Sequence, residues 1–208
     1  MNVHNAKYKL LFLFFITLSL FINKSNNYIL TNFIDRILNN LHLWTLLEIK
    51  GFLVFKFFTY LGDGHVIFVF LIILGISCWI RNNYRKFVFL FIIFTSSKII
   101  NEILKNYFER PRPTNRFLIN AEGWSFPSGH TMNAASFYLG LLLLGFGSTN
   151  SLIVRILILC IIIMVGLSRI ALGVHYATDV IGGWFIGYLV VIVGIFIINR
   201  LNIEKENQ

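Results

Sequence analysis

The chain has 208 residues, is 57% hydrophobic and only 13% charged, and its mean hydropathy is +0.74. That length suits one domain, residues 1–208. That apolarity excludes a soluble globular protein, leaving a multi-spanning membrane protein whose longest runs approach the ~20 residues that cross a bilayer. The net charge of +9 fits lysines and arginines that set topology or a site for anionic groups, while no soluble basic domain exists to present a nucleic-acid surface.

In chain order, the apolar stretch from Leu10 to Ile22 follows Lys7 and Lys9. Asn23-Lys24-Ser25 lacks the small-residue pattern of a cleaved signal peptide, so an uncleaved first span is expected. At ~20 Å by helical rise it is short for a ~30 Å hydrocarbon core. Leu30, Phe33, Ile34, Ile37, Leu38 and Leu41 then recur at helical spacing, with Asn32, Asp35, Arg36, Asn39 and Asn40 on the other face. Residues 28–47 are therefore an amphipathic helix, lying in the interface or packed on the bundle. Residues 51–61 make a candidate second interfacial segment, and Gly62-Asp63-Gly64-His65 reads as a turn leading into the second span, with headgroup contact by its aspartate and histidine as the lesser alternative.

The spans expected are 8–23, 64–80, 87–104, 131–147, 152–170 and 178–199. The fold class is all-α: a six-span transmembrane bundle with an interfacial amphipathic helix after the first span. Lys7, Lys9, Arg81, Arg85, Lys86, Arg155, Arg200 and Lys205 all fall on one side, which the positive-inside trend makes cytoplasmic, with both termini. The opposite side collects residues 105–130 and 171–177, yet it carries Lys105, Arg110, Arg112, Arg116 and Arg169. Basic charge on the translocated face of a cell (inner) membrane runs against the topological trend and points to function. Lys98 and Glu102 fit an intramembrane pair. Trp44, Trp79, Trp124 and Trp184 fit interface anchors. Cys78 and Cys160 fit buried thiols without metal or disulfide spacing, and His4 and His42 have no evident partner.

Three segments on that outer side carry chemistry. His175 has Asp179 one helical turn away, ~5–6 Å at Cβ. A carboxylate there accepts the Nδ1 proton and leaves Nε2 free as a nucleophile. Arg169 precedes Gly173, a residue suited to a tight break that folds the arginine back over His175. Pro127-Ser128-Gly129-His130 opens a span whose N-terminus favours anions. There Ser128 adds a donor, Gly129 permits close backbone approach, and His130 is suited to protonate a leaving oxygen. Lys105 brings a point charge and Arg112 a planar fork for two phosphate oxygens. Pro111 and Pro113 stiffen the loop that holds Arg112, whereas Arg110 and Arg116 fit interfacial snorkelling. Two histidines and an aspartate also match a zinc site, but three cations around them repel a dication and instead suit a transferring phosphoryl group.

Lys105-x6-Arg112-Pro113, then Pro127-Ser128-Gly129-His130, then Ser168-Arg169-x3-Gly173-x-His175-x3-Asp179 together resemble the signature of the type-2 phosphatidic acid phosphatase superfamily, matched at every fixed position. The motif core is residues 98–199, and residues 1–60 match only loosely. The resemblance implies metal-independent, cofactor-free hydrolysis of a phosphorylated membrane lipid through a phosphohistidine. His175 is then the nucleophile, Asp179 its orienting group and His130 the acid, while Lys105, Arg112, Ser128, Gly129 and Arg169 hold the phosphate. It also implies a six-span bundle with the site on the outer face. Bacterial members act on phosphatidylglycerol phosphate, undecaprenyl pyrophosphate, phosphatidic acid or lipid A. A lipid-to-lipid phosphotransferase and a lipid-phosphate binding or transport protein are the alternatives. No obligate protein partner is implied. Specificity is expected in residues 24–62 and 114–124.

Overall fold

Residue 35 and residues 49–113, 118–146 and 151–206 are described in the computed structural model. The expected first span, the amphipathic helix apart from Asp35, and His4, His42, Trp44 and Arg116 lie outside them. Six helices follow one another from residue 49: α1 (Ile49–Leu61), α2 (Gly64–Ile80), α3 (Tyr84–Phe108), α4 (Gly129–Leu143), α5 (Leu152–Ala171) and α6 (Ala177–Glu206). The described residues are all-helical, with no strand among them. Three of these helices, α3, α5 and the Ala177–Ile198 part of α6, are long and apolar enough to cross a membrane. The α1–α2 pair makes a fourth if its two helices, bent by 53°, count as one span.

The bend is built by the sequence. Asp63 caps α2, its Oδ1 accepting from the backbone of His65 at 2.8 Å and Val66 at 3.2 Å, which satisfies two of the free N–H groups at a helix start. The turn expected at residues 62–65 is thus present. Instead of lying apart in an interface, α1 packs against α5. Gly62 allows this, because a Cβ there would stand 2.5 Å from Val165 Cγ1 and 2.8 Å from the His130 carbonyl oxygen.

The central helix is α4, which packs against α2, α3, α5 and α6. Every residue from Thr131 to Tyr138 is buried, so this helix faces neighbours on all sides, as a helix without an exposed face does. Its 15 residues rise only about 22 Å, and it ends at Leu143 where an apolar run to 147 predicts more. The core around it joins Ile67 and Leu71 of α2, Leu90 and Phe94 of α3, Phe137 of α4, and Ile162 and Val165 of α5. Close approach of α6 depends on glycine. A Cβ at Gly183 would lie 2.9 Å from the Ser128 carbonyl oxygen, and one at Gly187 2.7 Å from Ala135 Cβ. Small residues are how helices in lipid gain van der Waals contact.

The outer faces carry exposed Phe68, Ile72, Ile73, Ile153, Ile156, Leu157 and Ile163. In water such a surface would be an interaction patch, and in a bilayer it is the lipid contact. α3 extends past its expected limits of 87 and 104 because its ends are polar, Arg85 and Lys86 at one and Lys105 and Asn106 at the other, so hydropathy stops where the helix continues. Lys98 forms no ion pair with Glu102. Its Nζ turns to Gly64, 3.0 Å from the Cβ position there. Trp79 is exposed at the end of α2, as an anchor should be, but Trp184 is a packing residue. Its Nε1 donates to the Ile162 carbonyl at 3.0 Å and its ring fills the space over Gly166. Cys78 is buried as expected, while Cys160 is exposed on the outer face of α5.

Replacing Gly187 by leucine should therefore wedge α6 from α4 and destabilise the protein by about 1–3 kcal/mol, the usual range for overpacking. Thermal unfolding in detergent measures it, and an unchanged Tm would contradict the close packing described.

Candidate active site

The site lies where α3 ends and α4 and α6 begin. α3 stops at Glu109, which adopts a left-handed φ of 45° and donates its N–H to the Lys105 carbonyl at 2.9 Å. The next four residues are Arg110-Pro111-Arg112-Pro113. A residue before proline is driven to extended backbone, and in extended chain residues i and i+2 share a face. Arg110 and Arg112 accordingly both reach the His175–Asp179 pair. The segment is pinned where Ser125 donates its N–H to the Arg110 carbonyl at 2.7 Å.

His175 sits in the link between α5 and α6, beyond the left-handed Gly173, whose φ is 76°. Asp179 is in the first turn of α6 and bonds back to the Tyr176 N–H at 2.9 Å, one arm of a capping box. That bond aims Oδ2 at His175 Nδ1, 3.3 Å away. Ser125 Oγ donates to the same Oδ2 at 2.5 Å and lies 3.3 Å from Nδ1. On the other edge of the ring, Arg112 Nη1 is 3.2 Å from Nε2. A guanidinium can only donate, so Nε2 is the acceptor and Nδ1 carries the hydrogen toward Asp179. Burial pushes His175 down to about 4, despite Asp179 pulling the other way, with Arg169 and Arg112 adding to the fall. At neutral pH it is an uncharged imidazole with its lone pair on Nε2.

Arg112 is tethered by carbonyls: Nε to Gly123 at 2.9 Å, Nη2 to Glu122 at 2.8 Å and Nη1 to Val174 at 3.0 Å. Burial lowers it from the usual guanidinium value and Asp179 opposes that; so high a starting value keeps it charged. Arg169, expected to fold over His175, instead donates Nη1 to Thr59 Oγ1 of α1 at 2.6 Å. It remains within electrostatic reach of His175, His130 and Lys105, and its buried Nε has no partner. Lys105 Nζ lies beside the start of α4, 3.9 Å from the Cβ position of Gly129.

Ser128 is the N-cap of α4 but makes no side-chain cap bond. Its Oγ accepts from Thr131 Oγ1 at 2.9 Å, so its own hydrogen and the first-turn N–H groups of α4 are not taken up by a cap. The Ser128 N–H donates to the Asp179 carbonyl oxygen at 3.1 Å, and Asn101 Nδ2 donates to the Pro127 carbonyl at 3.2 Å. These bonds tie the α4 start to α6 and α3. His130 Nε2 is 3.7 Å from Asp63 Oδ2 in the turn before α2, but burial first, then Arg169, His175, Lys105 and Arg112, hold this imidazole well below its ordinary value. All eight residues singled out in the sequence thus gather at one end of the bundle. Among the described residues no group of three His, Cys, Asp or Glu side chains is arranged to hold a metal ion.

Arg110 is not a snorkelling side chain. It is 6% exposed, with Nη1 2.5 Å from Asp179 Oδ1 and Nη2 2.7 Å from Asp35 Oδ2. Burial works against its charge, but Asp179 and Asp35 hold it above the ordinary guanidinium value. The alternation Arg-Pro-Arg-Pro is the signal that finds it. Ser125, Thr59, Asp63 and Asp35 also stand at the site, and no local pattern marks the first two.

Helices of this length and polarity around a buried His–Asp pair and a cationic cluster define a membrane protein with an anion-handling centre. Residues 87–203, more than half of the chain, match the PAP2 superfamily, and the chain belongs to that superfamily. It is 35% identical over 136 residues to phosphatidylglycerophosphatase B of Bacillus subtilis strain 168, covering 63% of this chain and 67% of that protein. It is 29% identical over 158 residues to an undecaprenyl-diphosphatase of Sulfolobus acidocaldarius, covering 75% of this chain and 64% of that protein. Its fold resembles the crystal structure of a transmembrane PAP2-type phosphatidylglycerolphosphate phosphatase from Bacillus subtilis, with a TM-score of 0.78 and 29% identity over 91% of this chain and 94% of that one. Aquifex aeolicus LpxE is similar with a TM-score of 0.63 and 28% identity, over 78% and 92% respectively.

The neutral, buried His175 sets a pH dependence. Its folded value of about 4 lies below the free-imidazole value, so below about pH 6.5 the unfolded chain binds the extra proton. Stability is fully present above pH 6.5 and falls as pH drops toward 4, by about 3 kcal/mol. Comparing Tm of the protein and of His175→Asn across that range measures the contribution, and equal slopes would contradict it.

Proposed function

We propose that this chain is an integral-membrane lipid phosphatase that cleaves a phosphomonoester or diphosphate from a membrane lipid through a phosphohistidine at His175. The observation that carries this is the ring of His175: Nδ1 held by Asp179 and Nε2 presented to Arg112 within a cluster of cations. A lone nucleophilic nitrogen facing cations suits a phosphoryl group, whose charge spreads over its three equatorial oxygens.

In this reading the substrate phosphate draws Arg112 from Nε2 and is held by Arg112, Lys105 and Arg169. The buried, unpaired Nε of Arg169 is a donor that a phosphate oxygen would satisfy. The Ser128 hydroxyl and the N–H groups at the start of α4 complete the cradle, with Gly129 leaving room for the oxygens. The Nε2 lone pair forms a bond to phosphorus as the bond to the lipid oxygen breaks. Burial and the cations Arg169, Lys105 and Arg112 hold His130 below the ordinary imidazole value in the free site; the bound phosphate offsets those cations, so His130 takes up a proton in the complex and delivers it to that leaving oxygen. Water then gives a proton to His130 and its oxygen attacks phosphorus. The P–N bond breaks, releasing inorganic phosphate and restoring His175. Asp179 stabilises the positive charge on the imidazole between the two steps.

The rest of the reading is topological. A six-span bundle, completed by the 8–23 span, has both termini in the cytoplasm and the site on the outer face of the cell (inner) membrane, within a single domain over residues 1–208. The basic residues at the opposite end of the bundle support that orientation. Lipid tails approach sideways between helices while the headgroup meets the cations. Phosphatidylglycerophosphate is the first substrate candidate, because the Bacillus subtilis relative, matched in both sequence and structure, carries that activity in its name.

Detergent-purified protein should release inorganic phosphate in the presence of EDTA from at least one of phosphatidylglycerophosphate, undecaprenyl diphosphate, phosphatidic acid and lipid A. His175→Ala should lose more than about a thousandfold of that rate while staying folded. Retained turnover in the variant, or phosphate recovered on a second lipid instead of in solution, would overturn the hydrolase mechanism. For topology, Leu118→Cys in a background lacking Cys78 and Cys160 should react with an impermeant maleimide from outside the cell. Labelling only after the membrane is permeabilised would reverse the orientation.

A further inference from the structure

We propose that Arg110 and Asp35 are positioning residues for the reaction at His175. Asp35 holds Arg110, Arg110 holds Asp179, and the trio keeps one net negative charge behind the imidazole. The proposal rests on the phosphohistidine reading above, and it brings in a residue outside the segment that matches the superfamily.

The geometry is a chain of buried contacts. Arg110 Nη1 is 2.5 Å from Asp179 Oδ1 and its Nη2 is 2.7 Å from Asp35 Oδ2. With Oδ1 fixed, only Oδ2 of Asp179 is left to receive His175, Ser125 and the Tyr176 N–H. A carboxylate free to turn would not keep that division. Arg110 is itself clamped on a third side, its guanidinium carbon 4.2 Å from the centre of the Tyr176 ring, a cation–π distance.

Charge gives Asp35 its purpose. When phosphorylated at Nε2 with Nδ1 still carrying hydrogen, His175 becomes a cation. Arg110 by itself would neutralise Asp179 and leave that cation without a matching anion. Asp35 takes up the charge of Arg110, so Asp179 remains effectively anionic toward His175. The side chains of Asp35, Arg110 and Asp179 are 4%, 7% and 0% exposed, so water screens little of this interaction.

Asp35 also orders the helix turn that carries Asp179. Its Oδ1 accepts from the Thr178 N–H at 3.1 Å, and Thr178 Oγ1 lies 3.1 Å from both its oxygens. An acceptor on a first-turn N–H of α6 is the role of an N-cap side chain, supplied here by a residue 143 positions away. Neither Asp35 nor Arg110 touches the reacting nitrogen. Arg110 acts through Asp179, and Asp35 through Arg110 and Thr178.

The test is steady-state kinetics of phosphate release, with wild type and His175→Ala alongside. Asp35→Asn keeps the shape but removes the charge and leaves one acceptor oxygen for either Arg110 or the Thr178 N–H, so a merely structural role would lower Tm while leaving the kcat of the folded enzyme nearly intact. It should instead lower kcat about ten- to a hundredfold with little change in KM. Arg110→Lys, which keeps the charge but reaches only one carboxylate, should fall between wild type and Arg110→Met. Adding Asp35→Asn to Arg110→Met should cost clearly less than Asp35→Asn costs alone, because the part that acts through the arginine is already lost. An Asp35→Asn enzyme with wild-type kcat would overturn the proposal. So would losses that multiply in the double variant, or a change confined to KM. If Asp35→Asn does not fold, the order of the two Arg110 variants decides, and equal rates refute the proposal. No phosphate release by wild type, or turnover by His175→Ala, would instead overturn the phosphohistidine reading beneath it.

Discussion

A carboxylate taken fully out of water persists only when both its oxygens are paired, and Asp179 meets that condition from two directions. Arg110 takes one oxygen, while His175, Ser125 and the Tyr176 N–H share the other. The partners arrive on three pieces of chain: Arg110 just past the end of α3, Ser125 in the loop before α4, and His175 with Tyr176 in the link between α5 and α6. Holding one buried charge therefore requires three helix termini to meet at one end of the bundle. The Ser128 N–H, bonded to the Asp179 backbone oxygen at 3.1 Å, draws in the start of α4 as well. His175, His130 and the cations Lys105 and Arg112 are brought into one place by this convergence.

The helical scaffold is shaped to permit it. α4 is short and buried on all sides, so it serves as the post around which α2, α3, α5 and α6 stand. Its N-terminus, instead of being capped by its own serine, is left with donors directed to the site. Gly183 and Gly187 bring α6 against it, and Gly62 lets the α1–α2 turn reach the same level, where Thr59 meets Arg169 and Asp63 approaches His130. Cations that would repel one another are spread over α3, its following loop and α5, with Arg112 tethered by carbonyls and Arg169 by Thr59.

Much of the fold was legible from hydropathy, since lipid rewards continuous apolar runs and the limits of α2 and α5 follow them closely. The misread elements share a cause. α3 outruns its apolar run because polar residues at both ends continue the helix beyond it. α4 was drawn too long because an apolar residue beyond its end looks the same to hydropathy as one inside it. Trp184 and Arg110 were assigned to the membrane interface because a side chain with an apolar body and a polar tip fits there as readily as in a packed core. Lys98 and Glu102 have the spacing of a pair, but Gly64 of a neighbouring helix lies closer to the lysine.

The sequence by itself determined the membrane class, the superfamily, and the three short motifs whose residues gather at one end of the bundle. Those features are local: one helical turn from His175 to Asp179, four consecutive residues at the start of α4, one loop from Lys105 to Arg112. Short spacings are fixed by backbone geometry and survive in any fold that uses them. Only the tertiary structure decided that Arg112 rather than Arg169 meets the imidazole, that Ser125 shares Asp179, and that Arg110 is held by Asp35, 75 residues away. The direction of a buried charge depends on which other charges packing brings within a few ångströms, and spacing along the chain does not encode that distance.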